Sequence, residues 1–263
     1  MQPLLTLTTD FGTTDFHLGR LKGYLLSANP DIRLVDVSHD IPNYDISRAA
    51  IIFRKVWKHY PPGTIHLISV NDYYQPRGRF VAMEAEGHFF IGPDNGVFSL
   101  IFGKLPDHLV VIDPKLMDGG SQSASHQKAL SEIYSWAVNR LLKEGLDSLG
   151  NGSEKKLERI PFQPVIGKDY IRGSVVFIDK FDNALTNISR SLFEQVGQGR
   201  GFKLLLRRNE PIDGLSFRYQ DVPEGECLCK FNSDDELEIA INLGKAAGLL
   251  SIEVEDSVQI EFD

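Results

Sequence analysis

The sequence predicts an α/β fold, with an N-terminal, mostly parallel α/β sandwich domain (residues 1–150) and a smaller C-terminal antiparallel β-barrel or sandwich domain (residues 169–263). Three observations predict it. Three strand patterns alternate with two helix patterns between residues 4 and 70, as in the right-handed crossovers of a doubly wound sheet. Residues 151–168 form a polar linker rich in Gly and Pro. Beyond this linker, short strand patterns follow one another without a long helical stripe.

The individual elements follow from the period of the apolar residues. Three strand patterns end in polar residues, at 4–9, 32–37 and 65–70. A helix pattern follows the first strand at 16–25, and another begins after Asp45, whose side chain can cap it. The other N-terminal elements are strands at 80–84, 89–91, 97–102 and 109–112 and a helix at 129–142. C-terminal strands are expected at 174–178, 203–207, 226–231, 236–241 and 257–262.

Composition excludes several classes of protein. The formal charge of −8 opposes binding to nucleic acid, because that binding depends on Lys and Arg displacing counterions from phosphates. No apolar run approaches the roughly 20 residues of a membrane span, and the N-terminus lacks a secretory signal pattern. We therefore expect a cytoplasmic protein with neither nucleic acid nor a membrane as partner. Cys227 and Cys229 are expected to be buried reduced thiols, since neighbours on one strand face make strained disulfides.

The fingerprints of dinucleotide, P-loop nucleotide, zinc-protease and serine-hydrolase sites are absent from the sequence. Asp36, His39 and Asp40 could ligate a metal, but strand-end and capping roles explain them more simply, and no metal site is predicted. Asp72 and Arg79 bracket the loop after the 65–70 strand, at the sheet edge where such folds bind ligands. The alternative is an ordinary surface loop with a local salt bridge.

Two further groups of residues could contact a nucleoside. Asp10 follows the first strand beside a Gly turn, where one carboxylate can accept bonds from both ribose hydroxyls or can cap a helix. Asp179, Phe181 and Asn183 follow a C-terminal strand. Phe offers a ring face to a base and Asn offers a donor and an acceptor, although an Asx turn explains the same residues.

A set of motifs spans the chain from the first strand almost to the C-terminus. They are Thr9-Asp10-Phe11-Gly12, Gly19-x-x-Lys22-Gly23, Val35-Asp36-Val37-Ser38-His39, Pro62-Gly63-Thr64-Ile65-His66-Leu67, Pro93-Asp94-Asn95-Gly96, the block 179–188, Asn232-Ser233, and Leu237-Glu238-Ile239-Ala240-Ile241-x-x-Gly244-Lys245-Ala246-Ala247. With these motifs, in this order, the chain resembles the S-adenosyl-L-methionine (SAM) hydroxide adenosyltransferases, which are related to bacterial fluorinases and chlorinases.

The resemblance implies hydrolysis of SAM, with no cofactor, by water or hydroxide at the ribose C5′, giving adenosine and L-methionine. It also implies a homotrimer whose sites lie between the N-terminal domain of one subunit and the C-terminal domain of the next. The family's catalytic trio falls on Asp72, Arg79 and His126. Halogenating relatives lack this trio, so the resemblance points to water as the nucleophile. Whether His126 or Asp72 accepts the proton stays open.

The resemblance also implies residues that bind the substrate. Asp10 would hold the ribose hydroxyls, Tyr44 would lie along the ribose or methionine chain, and Asp179 would meet the methionine ammonium. The remaining positions would frame the carboxylate and adenine: Phe181, Asn183, Ser233 and Ala246.

Three segments depart from the family pattern: Asp72-Tyr73-Tyr74-Gln75-Pro76 for Asp-Pro-Gly-Val-Gly, Gln127-Lys128-Ala129 for Gly-Arg-Asp after the His, and Phe181-Asp182-Asn183 for Phe-Gly-Asn. The altered Asp72 loop favours, as the main alternative, a non-catalytic module that binds adenosine or SAM. A SAM-dependent halogenase is a further alternative, which the retained trio disfavours.

Overall fold

The computed structural model describes residues 2–72, 79–117, 126–152, 158–207 and 209–263, with the backbone alone described at 114 and 126–129. The chain forms two compact units, Met1–Pro161 and Phe162–Asp263. The boundary falls within the segment 151–168 that the sequence marks as a linker. Parts of that segment nevertheless belong to strands: residues 151–152 pair with the N-terminal sheet and residues 165–166 with the C-terminal sheet.

The N-terminal unit contains a mixed sheet with helices on both faces. Its elements are β1 (Leu4–Thr9), α1 (Phe16–Ala28), β2 (Arg33–Ser38), α2 (Ile46–Arg54), β3 (Ile65–Ser69), β4 (Phe80–Ala85), β5 (His88–Pro93), α3 (Val97–Phe102), β6 (Leu109–Ile112), α4 (His126–Glu144) and β7 (Gly150–Gly152). Short 3-10 turns occur at Trp57–His59, Pro114–Leu116 and Leu146–Leu149.

The strand order is β2-β1-β3-β5-β4-β6-β7. β1 pairs in parallel with β2 and β3, and β3 with β5. β4 is antiparallel to β5 and β6, and β7 to β6, so all strands except β4 and β7 run in one direction. This agrees with a mostly parallel sheet. The carboxyl ends of β1, β2 and β3 therefore meet at one edge, where ligands bind in open α/β sheets.

Two buried clusters form the N-terminal core. Leu21, Leu25 and Val138 belong to the cluster under α1 and α4. Phe53 and Phe98 belong to the cluster under α2 and α3 on the opposite face. Each fully buried side chain of this size contributes roughly 1.5–3 kcal/mol through removal from water, which holds the helices against the sheet.

Helix caps explain where the first two helices begin. Asp15 caps α1 by accepting a bond from the His17 N–H at 2.9 Å, and Asp45 caps α2, as predicted, by accepting one from the Arg48 N–H at 2.8 Å. A carboxylate at this position satisfies a backbone donor that has no partner inside the helix.

The strand predicted at 97–102 is wrong, because this segment forms α3. Gly96 takes a left-handed φ of 95°, and the Val97 N–H donates to Asn95 Oδ1 at 3.1 Å, which starts the helix. Short apolar runs do not distinguish a buried helix from a buried strand, and this one is buried at Val97, Phe98 and Ile101.

The C-terminal unit is mainly antiparallel β-structure. Its elements are β8 (Val165–Ile166), β9 (Tyr170–Ile178), β10 (Ala184–Ser189), α5 (Arg190–Gly197), β11 (Phe202–Leu206), β12 (Ile212–Asp213), β13 (Cys227–Phe231), β14 (Glu236–Ile241), α6 (Ala246–Leu250) and β15 (Ser257–Phe262), with a 3-10 turn at Tyr219–Asp221. The expectation of strands throughout is wrong for α5 and α6, which are too short to produce a long helical stripe.

The C-terminal strands follow the order β12-β11-β15-β9-β10-β14-β13, and β8 adds to β9. The two ends of this order approach each other, since the Ser216 N–H donates to Cys229 O at 2.9 Å and the Cys229 thiol donates to Gly214 O at 3.4 Å. The sheet is therefore a nearly closed barrel. Cys227 and Cys229 are free thiols, half-buried and buried, and burial raises their pKa values to about 11 and about 12.

None of the helices in the described ranges has the length and apolar character that crossing a membrane requires.

Candidate functional site

Asp10 joins three loops at the carboxyl edge of the N-terminal sheet. Its Oδ2 accepts hydrogen bonds from the backbone N–H groups of Tyr44, at 2.9 Å, and Asn71, at 3.1 Å. Both donors have left-handed backbones, with φ of 69° and 55°. Among the described residues nothing donates to Oδ1. The Tyr44 side chain is exposed at the same edge.

Asp72 is a buried carboxylate, 3% exposed. The Ser69 hydroxyl donates to its Oδ2, and the Tyr134 hydroxyl donates to its Oδ1 at 2.8 Å. Burial raises the pKa of Asp72 to about 7, while the two donors act to lower it and the nearby charge of Asp10 acts to raise it. A carboxyl group with this pKa can accept a proton near neutral pH.

Arg79 forms an ion pair with Asp94, with 2.8 Å between Nη2 and Oδ2. The Asp94 N–H also donates to Arg79 O at 3.0 Å. Asn95, the next residue, donates from Nδ2 to Val70 O at 2.9 Å and to Asn71 O at 3.4 Å. The turn after β5 therefore attaches Arg79 to the end of β3.

The third residue of the expected trio is only partly described. α4 begins at His126, but the His126 side chain lies outside the described residues. The same is true of Tyr73 and Tyr74 in the altered loop. Convergence of Asp72, Arg79 and His126 on one water thus remains a prediction.

His39 extends the polar edge through β2. Its Nδ1 lies 2.8 Å from Thr9 Oγ1, and its Nε2 lies 3.1 Å from Asp36 Oδ1. Lys22 donates to Asp36 Oδ2 at 2.7 Å. Burial acts to raise the pKa of Asp36, but the bonds and charges of Lys22 and His39 outweigh it and lower the pKa. Asp36 thus lies between Lys22 and His39, and in the described ranges no cluster of three or more His, Cys, Asp or Glu residues could hold a metal ion.

In the C-terminal unit, Asp179 organises the turn between β9 and β10. Its Oδ1 accepts bonds from the N–H groups of Phe181, at 2.8 Å, and Asn183, at 2.9 Å, and its Oδ2 accepts one from Asn183 Nδ2 at 3.1 Å. This is the Asx turn considered above. It also displays Phe181, which is 78% exposed. The Ala247 N–H donates to Asp182 O at 2.9 Å, so α6 and its first residue Ala246 lie beside this turn.

Ser233 lies away from the other predicted C-terminal residues. It occupies the exposed turn that precedes β14, whereas Ala246 follows β14. Ile239, towards the far end of β14, pairs with Ala184 directly after the Asp179–Asn183 turn. Ile239 lies three positions, roughly 10 Å, beyond the start of β14, so Ser233 and the Asp179–Asn183 turn lie towards opposite ends of the β10–β14 pair.

Both units match models of one protein family. The SAM hydroxide adenosyltransferase N-terminal domain matches residues 5–148, and the C-terminal domain of the same family matches residues 173–259. The chain belongs to the SAM hydroxide adenosyltransferase family. The resemblance carried by the sequence motifs is thereby confirmed.

Relatives that match nearly the whole chain include two kinds of enzyme, SAM hydrolases and fluorinases. The (R)-S-adenosyl-L-methionine hydrolase of Methanocaldococcus jannaschii is 23% identical, covering 98% of this chain and 96% of its own. The fluorinase of Nocardia brasiliensis is 25% identical, covering 99% and 97%. The crystal structure of a conserved protein from Thermotoga maritima shares the fold, with a TM-score of 0.82, 23% identity and coverage of 98% and 99%.

The sequence patterns do not indicate three polar residues near the carboxyl edge of the N-terminal sheet. Ser69 lies within the apolar strand pattern at 65–70, and Tyr134 lies within the helix pattern at 129–142. A buried Tyr nearly always needs a partner for its hydroxyl, and that requirement is the only indication the sequence offers for Tyr134. Asp94 lies in the Pro93-Asp94-Asn95-Gly96 motif, which does not by itself indicate a pairing with Arg79.

Proposed function

We propose that this protein hydrolyses SAM, giving adenosine and L-methionine without a cofactor. A water oxygen attacks the ribose C5′, the C5′–S bond breaks with its electron pair moving to sulfur, and the water proton passes to a base. Hydrolase relatives covering 96% to 98% of the chain support this reaction. The observation that carries it is Asp72, a buried carboxylate with a pKa of about 7 at the same edge as Asp10.

Each N-terminal site residue has a distinct part in this proposal. Asp72 accepts the proton of the water or orients it, with His126 as the competing acceptor. Arg79 is a permanent cation, so it positions an anion or a developing hydroxide and does not act as base. The Oδ1 of Asp10, to which no described residue donates, accepts a ribose hydroxyl, and Tyr44 covers the ribose or methionine chain.

In the C-terminal unit, we assign the methionine and adenine contacts to Asp179, Phe181, Asn183 and Ala246. Ser233, which lies beyond the other end of β14, stays a prediction from the sequence. The homotrimer and the cytoplasmic location expected from the sequence stay predictions, and light scattering of the purified protein tests the first.

The proposed function is tested by incubating the purified protein with SAM between about pH 6 and pH 9 and measuring adenosine by chromatography. Adenosine and methionine in equal amounts, above an enzyme-free control, are expected. Binding of SAM measured by calorimetry without product would instead identify a binding module. Formation of 5′-halo-5′-deoxyadenosine when chloride or fluoride is added would identify a halogenase, the activity named for the fluorinase relatives.

Asp94→Asn is expected to lower kcat/KM for SAM by about tenfold, because the Arg79 guanidinium loses a charged partner that helps to fix its position. Asp235→Asn is the matched control, since it removes the carboxylate of another Asp–Arg pair, with Arg190, in the C-terminal unit. Steady-state kinetics of both variants provide the comparison. Equal activity of the Asp94 variant and the parent would remove this ion pair from the site.

A further inference from the structure

Two hydroxyl groups from distant parts of the chain contact the two oxygens of one carboxylate. Ser69 ends β3 and donates to Asp72 Oδ2, whereas Tyr134 lies within α4 and donates to Oδ1 at 2.8 Å. Tyr134 is completely buried and Asp72 nearly so. An unpaired polar group is costly at such a depth, so both hydroxyls are committed as donors.

We propose that Tyr134, together with Ser69, is a positioning residue that keeps the Asp72 carboxylate in its orientation and in its ionised form, and thereby sets the lower pH limit of hydrolysis. This inference rests on the proposed function and names residues beyond the trio.

The charges around Asp72 support this assignment. Among the described residues, those that affect its ionisation are Ser69 on β3, Tyr134 on α4 and Asp10 after β1. Burial and the negative charge of Asp10 both oppose ionisation, and only the two hydroxyl donors favour it. Burial and Asp72 also raise the pKa of Tyr134 well above its usual value, so Tyr134 keeps its proton at every assay pH and remains a donor.

Tyr134 also links Asp72 to the helix that begins at His126. The two residues are eight positions apart on α4, a rise of about 12 Å. One hydrogen bond therefore fixes the middle of this helix against the end of β3. The Tyr134 ring packs against Phe80 edge to face, with centroids 5.3 Å apart, and this contact does not involve the hydroxyl. Tyr134→Phe consequently removes the donor and keeps the packing.

The test compares the pH dependence of kcat/KM in the parent, Tyr134→Phe and Ser69→Ala. Loss of either hydroxyl donor is expected to move the acid limb of the pH profile upward by about one pH unit. On that acid limb kcat/KM then falls about tenfold, whereas kcat/KM on the alkaline plateau changes little. Tyr24→Phe and Ser135→Ala are matched controls. Ser135 is a buried serine on α4 whose hydroxyl donates to the backbone carbonyl of Tyr24 and not to Asp72. Neither control should move the acid limb of the pH profile.

A second measurement does not depend on turnover. The infrared band of the protonated Asp72 carboxyl, assigned by its absence in Asp72→Asn, should disappear at a higher pH in Tyr134→Phe and Ser69→Ala than in the parent. An unchanged titration in both variants overturns the inference even if SAM is hydrolysed. A shifted titration in a protein that releases no adenosine supports the role of Tyr134 and contradicts only the proposed function.

Discussion

Asp72→Asn should make the folded protein more stable by roughly 3 kcal/mol above pH 7 and reduce SAM hydrolysis at least about 100-fold. The stability gain follows from the raised pKa of Asp72. Between pH 3.8 and about 7 the folded protein holds a proton that the unfolded chain has released, so stability falls as pH rises through this range. At about 1.4 kcal/mol per pH unit, ionised Asp72 costs the fold roughly 4 kcal/mol above pH 7. The amide introduced by Asp72→Asn fits the Ser69 and Tyr134 hydroxyls less well than a carboxyl group does, and this mismatch reduces the net gain in stability to roughly 3 kcal/mol.

Urea unfolding of parent and variant from about pH 4 to pH 9 measures this effect. The stability difference, variant minus parent, should rise by roughly 4 kcal/mol, from about −1 kcal/mol at the acid end to a plateau of roughly 3 kcal/mol above pH 7. Asp31→Asn is the matched control, because Asp31 is exposed and its replacement removes the same charge. A constant difference across the pH range would contradict the raised pKa of Asp72.

Acid is expected to destabilise the N-terminal unit through His66. This histidine is completely buried, its Nδ1 lies 2.7 Å from Thr6 Oγ1, and its Nε2 lies 3.1 Å from His88 Nδ1. Burial, with a contribution from the charge of His88, lowers the pKa of His66 from 6.5 to about 3. Below pH 6.5 the His66 imidazole binds a proton in the unfolded chain but not in the folded state. Stability therefore falls as pH falls, by roughly 3 kcal/mol at pH 4.5.

His66→Asn should remove this acid dependence. The variant loses ring packing at every pH, but its stability should fall by roughly 3 kcal/mol less than that of the parent between pH 7.5 and pH 4.5. Both tryptophans, Trp57 and Trp136, lie in the N-terminal unit, so their fluorescence follows its unfolding. Identical slopes for parent and variant would count against the prediction.

His108→Asn provides a control of opposite sign. The hydrogen bond to Asp147 raises the pKa of His108, so this group stabilises the fold below its unfolded pKa and loses that effect as pH rises through the folded pKa. Its removal should make the N-terminal unit more sensitive to acid.

The order of strands and helices in the N-terminal unit was predictable because periodic apolar patterns and breaker residues are local features. They placed Asp10 and Asp72 directly after β1 and β3, and parallel pairing brings such strand ends together. The Tyr134 contact with Asp72 crosses 62 positions of sequence, and no local pattern encodes it. The same limit applies to Arg79, whose Asp94 partner arrives through the β4–β5 hairpin.

Sequence spacing was least informative where a strand separates residues that are near in sequence. Ser233 and Ala246 are only 13 positions apart, but β14 runs between them, so they lie beyond opposite ends of that strand. The α3 segment was ambiguous for a different reason, because it is apolar on nearly every side and carries no period. Its helical state depends on the turn at Asn95 and Gly96.

The two cysteines and the two tryptophans of the chain are divided between its units. Cys227 and Cys229 lie in β13, where burial keeps both as poorly reactive thiols. A thiol reagent will therefore label them rapidly only after the barrel opens. Labelling rates and tryptophan fluorescence, recorded on the same unmodified chain, can thus follow the opening of the barrel and of the α/β unit as separate events, and show which of them a bound nucleoside protects.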